Sequence, residues 1–187
     1  MSAKHESAIG HVTGRAVYTD EQHEPRGLAS LYPVQAPHAH AKLLALDAAA
    51  ARAMPGVLAV LTAADIPGEN DTGPIRHDEP LIAADTIAYW GQPVAWVVAT
   101  DEARANSAAA QVEARYEPLP ACLSIDEAIA RGQFFGPPAV VARGDAAQAL
   151  GELTYRGQGE VRMGGQDHFY LETQASWVHV DSEGLVQ

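Results

Sequence analysis

From position 93 the chain reads Pro-Val-Ala-Trp-Val-Val-Ala, a nearly continuous apolar run that predicts a strand through Ala99. Thr100 or Asp101 is placed to cap a following helix to about Gln111, with its alanines packed and Glu102 and Arg104 toward water. Val112 to Leu119 then alternates as a strand does. This β-α-β order points to α/β or α+β architecture. Upstream, Leu28, Ser30 and Tyr32 alternate against Ala29 and Leu31, which predicts a strand ended by Pro33 or Pro37, because proline cannot donate to a ladder. Ala41 to Leu46 predicts a second strand. Asp47 is placed to cap a short helix to Met54, stopped by Pro55-Gly56, before a buried strand at Val57–Leu61 and a short turn or helix at Thr62–Pro67.

The polar stretches divide the chain. Residues 1–27 carry charges between Gly10, Gly14 and Gly27 and read as an extended opening segment with little helix. Residues 68–80, rich in Gly, Pro, Asp and Glu, form the longest candidate surface loop. Ser124 and Glu127 have the spacing of a capping box for a helix to Arg131. A composition break follows at 132–138, with Pro137-Pro138 as a hinge. Beyond it the pattern predicts an alanine helix to Leu150, strands at Leu153–Val161 and Ala175–Val180, and a hairpin turn at Asp181–Gly184 that opens a strand at Leu185-Val186. Such a strand lacks a partner, so the reading expects either a truncated chain or an edge completed by something else. Three segments result: 1–27, 28–135 and 136–187.

Composition narrows the function classes. With 24 acidic against 12 basic side chains, a net charge of −12 argues against nucleic-acid binding, which needs a basic face. Cys122 is the single cysteine, which excludes an internal disulfide and any iron–sulfur cluster ligated by this chain alone. No stretch reaches 18 uninterrupted apolar residues and the first residues lack an apolar signal core, so the reading expects no membrane span and a cytoplasmic address.

Candidate chemistry is sparse. His38-Ala-His40 puts two imidazoles on one side of an extended segment, a plausible metal pair without a third ligand nearby in sequence. His5, His11, His23 and His77 sit among polar residues and read as surface groups, and His179 as the solvent face of a strand. Cys122 reads as a half-buried structural thiol, with no histidine near it. No nucleophile elbow, phosphate loop or dinucleotide glycine motif occurs. Asp167 and Glu172 fall on opposite faces if extended, which does not suit an acid–base pair. The run from Gly164 to Glu172 remains. Its two glycines permit close backbone approach, and the Gln166 amide can both donate to and accept from an oxo-type ligand. The plainer reading is a bulged strand whose aromatics fill a core.

The words themselves carry a resemblance. Gly164-Gly-Gln-Asp-His-Phe-Tyr-Leu-Glu-Thr173 resembles the segment that opens the molybdenum-binding part of the xanthine dehydrogenase and aldehyde oxidase family. His11-Val-Thr-Gly-Arg-Ala-Val-Tyr-Thr-Asp20, Pro37-His-Ala-His-Ala-Lys-Leu43, Pro55-Gly-Val57 and Gly91-Gln-Pro-Val94 fall in that family's order. The resemblance implies an α+β fold, an α/β hammerhead domain over 28–135, then the first strands of a molybdopterin-binding domain. It implies that Gln166 lies beside the molybdenum cofactor, where the family usually follows that glutamine with Glu rather than Asp167. It places no catalytic residue and no direct metal ligand in this chain, because the family's general base lies beyond position 187. FAD and 2Fe-2S clusters are implied on other domains or subunits, and the remainder of the molybdenum subunit as a partner. The implied function is the N-terminal part of a molybdenum subunit that hydroxylates hypoxanthine and xanthine to urate, the 187 residues being inactive alone. An aldehyde oxidase-type fragment and a non-catalytic hammerhead interaction module are the alternatives.

Overall fold

A computed structural model of the chain describes residues 7–22, 25–168 and 174–187. In chain order the elements are α1 (Ala8–Thr13), β1 (Ser30–Gln35), β2 (Ala41–Asp47), α2 (Ala49–Arg52), β3 (Val57–Leu61), β4 (Thr86–Ile87), β5 (Pro93–Ala99), α3 (Glu102–Ala109), β6 (Glu113–Pro118), α4 (Ile125–Ala130) and α5 (Ala146–Glu152). Short 3-10 turns lie at Thr19–Glu21 and Ala63–Asp65. Two compact units result, Pro25–Pro137 and a second made of Met1–Glu24 with Pro138–Gln187.

The Pro25–Pro137 unit is built on two three-stranded sheets, ordered β1-β5-β3 and β4-β2-β6. The apolar run at 93–99 becomes the central strand of the first, with Val94, Ala95, Val97 and Ala99 at most 1% exposed. α3 packs on β1 and β5 through Ala105, Ala108 and Ala109, small side chains that let the helix lie close to the sheet. Asp101 caps it, its Oδ1 accepting from the Arg104 N–H at 2.9 Å. The core gathers Val34, Val60, Ile87, Val94 and Val97 around these alanines, with Leu43, Leu46 and Tyr116 at its margin.

Every strand pairing among the described residues is antiparallel. β5 and β6 lie in different sheets, so α3 carries the chain from one sheet to the other and does not close a parallel β-α-β crossover. The architecture is therefore α+β with antiparallel sheets. Pro33 sits inside β1, opposite Trp96, instead of ending the strand. β1 is an edge strand, where a missing N–H is tolerated. β3 is also an edge: Val60 is buried, while Leu58 is 60% exposed, so the apolar run there is not a buried strand. Gly56, at φ +87°, turns the chain from α2 into β3, and its carbonyl accepts from Thr100 N–H at 2.9 Å.

Three expectations for the rest of the chain are corrected. The opening segment holds helix α1, ended by Gly14 at φ +68° with its N–H turned back to Gly10 and His11 carbonyls. Leu153–Val161 forms no strand and is exposed throughout, because no described segment pairs along it and an unpaired strand leaves its backbone groups to water. At Ala175–Val180 only Val180 bridges, to Val186 across the Asp181–Gly184 turn. Asp181 Oδ1 accepts from Glu183 and Leu185 N–H, both at 2.9 Å, and Gly184 takes φ +83°. The expected alanine helix forms as α5, with Asp145 capping it by accepting from Gln148 N–H at 2.9 Å.

Candidate functional site

Gln166 lies in the irregular, exposed stretch 153–168, and its amide makes no hydrogen bond to the described residues. A Cβ added at Gly164 or Gly165 would meet nothing within 4 Å, so the backbone there is open to close approach from outside. Asp167 and His168 are exposed beside it. The described residues on either side of Gln166 are exposed, so they do not by themselves bury a cofactor. Phe169, Tyr170, Leu171, Glu172 and Thr173, the second half of the motif, lie outside the described residues.

The histidine pair is split between separate tasks. His40 Nδ1 is 2.9 Å from the Pro120 carbonyl, which ties β2 to the segment after β6. His38 presents its ring to Tyr116, centroids 5.0 Å apart in an edge arrangement. Cys122 is half-buried, its thiol 3.9 Å from the Ser124 carbonyl. Near His38, β1, the end of α3 and β6 border a cavity of about 400 Å³. Tyr32, Tyr116, Gln35, Asn106 and Val112 line it, and no charged side chain does. Burial raises the Tyr116 hydroxyl above its ordinary pKa, so it stays a neutral donor. Such a lining can hold a small polar group by its amides but supplies no acid, base or nucleophile.

The carboxylates that shift are caps of helices and turns. Asp101 is held below the usual carboxylate range first by the Arg104 N–H, with the Arg104 guanidinium also paired to it. Asp65 is lowered first by the Thr62 N–H, which it accepts at 2.7 Å while Thr62 Oγ1 donates at 2.8 Å. Asp181 is lowered first by the Leu185 N–H. These carboxylates organise turns and do not face a cleft.

Sequence reasoning passed over two polar residues that hold the larger unit together. Gln92 is 1% exposed; its Oε1 accepts from Ala88 N–H at 2.7 Å and its carbonyl accepts from Ala36 N–H at 2.9 Å. Asn70 clasps the backbone of Ile82, donating to its carbonyl at 2.7 Å and accepting from its N–H at 3.1 Å. That clasp closes the long loop between the Ala63–Asp65 turn and β4. Gln92 stands in a Gly-Gln-Pro turn that leads into the apolar run 93–99, and that place was the available signal.

This two-sheet unit, with one helix laid across the first sheet, defines a class: the chain belongs to the family described as "Aldehyde oxidase and xanthine dehydrogenase, a/b hammerhead domain", which matches residues 13–120. Among its relatives, the xanthine dehydrogenase of Oryza sativa subsp. japonica is 38% identical over 177 residues, covering 93% of this chain and 13% of that protein. Aldehyde oxidase 3 of Rattus norvegicus is also 38% identical, over 172 residues, covering 91% of this chain and 13% of that one. The solved structure of a Cu,Mo-CO dehydrogenase aligns with a TM-score of 0.59 at 33% identity, covering 67% of this chain and 16% of that chain. The chain thus spans about an eighth of the length of the curated relatives it matches. No helix among the described residues is long and apolar enough to cross a membrane.

Proposed function

We propose that this chain is the hammerhead portion, residues 28–135, and the adjoining opening of the molybdopterin-binding domain, residues 136–187, of a xanthine dehydrogenase-type molybdenum subunit. The single observation that carries the reading is the ordered likeness to a full xanthine dehydrogenase across 93% of this chain. In the whole protein it serves hydroxylation of a purine, hypoxanthine or xanthine, with FAD and 2Fe-2S centres on other domains or subunits, in the cytoplasm. Gln166 offers its amide to the molybdenum cofactor, whose oxo chemistry needs a neutral group able to donate without transferring a proton. The other walls of that site come from the remainder of the subunit. Support for Gln166 is its place after two glycines whose backbone is open to approach. An aldehyde substrate is the second reading, favoured by the equal 38% identity to the rat aldehyde oxidase.

The test begins with the native protein, captured from its source cells by an antibody to this chain. A polypeptide several times longer than 187 residues, carrying molybdenum and oxidising xanthine in preference to aldehydes, is expected. A native chain of this length, free of molybdenum, overturns the enzyme reading. In the full-length protein, Gln166→Ala should leave folding and molybdenum content intact and lower kcat by about 10–100-fold, the cost typical of losing a group that orients a metal's ligands. Unchanged turnover removes Gln166 from the site.

A further inference from the structure

Residues 123–135 are held in place by local bonds, yet their large apolar side chains are all exposed. Ser124 Oγ accepts from Glu127 N–H at 3.2 Å and Glu127 Oε2 accepts from Leu123 N–H at 3.3 Å, which starts α4. At its far end Gln133 N–H returns to the Ala128 carbonyl at 2.9 Å, and Gly132 N–H to that of Ile129 at 3.1 Å. Glu127 and Arg131 pair along one face of α4. Ile125 and Ile129, also four apart, share the opposite face. A helix this short is marginal in water by itself, and packing of its apolar face is what ordinarily holds it. Leu123, Ile125, Ile129, Phe134 and Phe135 are 59–97% exposed. Arg76 donates to the Phe135 carbonyl at 3.2 Å, which ties the loop carrying the exposed Ile75 to this segment. One exposed apolar residue is ordinary; six of this size in a pinned segment and the loop tied to it mark an interaction surface.

We propose that this surface seats an apolar face of a later part of the same molybdenum subunit; the inference rests on the subunit reading above. Three observations select that occupant. The segment lies beyond residues 13–120, the span matched to the hammerhead family, and none of its side chains joins the hammerhead core. It is also where the chain leaves the Pro25–Pro137 unit, so polypeptide that follows is tethered to it, at an effective concentration a free partner seldom reaches. The relatives have the length to supply such a face, since this chain covers 13% of the Oryza sativa protein.

The experiment is amide hydrogen exchange, read by mass spectrometry, on the native subunit and on the 187-residue chain. In the 187-residue chain the α4 amides should exchange freely; in the subunit they should be slowed about 100-fold or more. Ile125→Asp combined with Ile129→Asp should restore fast exchange in the subunit. The same pair should leave the unfolding temperature of the 187-residue chain unchanged, because both side chains are exposed there. Where the double variant fails to fold in the subunit, the wild-type comparison decides. Equal exchange in subunit and chain overturns the proposal, as does protection that survives the two aspartates. Protection in the 187-residue chain that appears only as its concentration rises makes a second copy the occupant and also overturns it. A native polypeptide of only 187 residues removes the subunit reading too, whereas a longer subunit with fast exchange at α4 sinks this inference alone.

Discussion

Gln92 is the buried polar residue of the larger unit, and its removal has a magnitude that can be worked out. Gln92→Ala deletes the acceptor of the Ala88 N–H, worth about 1 kcal/mol net. It also removes one packed methylene at a position 1% exposed, about 0.8 kcal/mol before any cavity cost. The sum is about 2 kcal/mol, a large share of the roughly 5–15 kcal/mol that holds a typical domain. Gln92→Glu keeps the shape and the acceptor but adds a charge, and no salt bridge among the described residues reaches this position. Full burial raises a carboxyl by about 3–5 pKa units, so a three-unit rise costs about 4 kcal/mol once the side chain is ionised in the unfolded chain. The sign follows from the raised folded pKa. The protonated variant is tolerated below the unfolded value near 4.3, and its stability falls as pH rises from there toward the folded value.

Urea unfolding of the full chain, followed by tryptophan fluorescence, reads both effects because Trp96 is half-buried on β5. Gln92→Ala should lower the unfolding free energy by the same amount at pH 5 and pH 7 (values of about 2 kcal/mol). Gln92→Glu should be close to wild type near pH 4 and much weaker at pH 7. A Gln92→Ala cost under about 0.5 kcal/mol, within the range of ordinary surface changes, would refute the role given to this side chain. So would a Gln92→Glu variant whose stability ignores pH.

Asn70→Ala removes both hydrogen bonds to Ile82, at about 1 kcal/mol each, and should speed amide exchange across the loop before β4; unchanged protection of the Ile82 amide would sink the clasp. Asp101 and Asp65 have lowered folded pKa values, so their stabilisation is present above the unfolded carboxylate value and is lost as pH falls through the folded one. Asp101→Asn should therefore flatten the fall of the unfolding midpoint below about pH 4, and an identical acid limb would count against the cap. Residues 132–145 are exposed throughout and span the chain boundary of the two compact units at Pro137 and Pro138, so brief chymotrypsin treatment should cut first at Phe134 or Phe135. First cuts inside β5 or α3 would contradict the division.

The strands and caps between 30 and 118 were legible because their causes are local: a run of apolar side chains, a carboxylate three residues ahead of an amide, a glycine where the backbone must reverse. Sheet membership was not, since β5 and β6 are adjacent in sequence yet pair with β1 and β3 in one case and β2 in the other. Alternation says which face is apolar and nothing about which strand lies beside it, and for the same reason the edge position of β3 escaped the reading of Val57–Leu61 as buried. Gln92 and Asn70 escaped because a polar side chain's partner is a backbone group fixed by the fold, four residues away in one case and 12 in the other. Gln166 is the opposite case. Its physics favoured a bulged strand with a filled core, and the described part of that segment is neither strand nor buried. What pointed to it was the order of residue names alone. Under the role proposed for Gln166, that contrast is what a shared site should produce: a self-contained core writes itself into periodicity, whereas a residue that completes a site with groups from elsewhere leaves only its identity in the sequence.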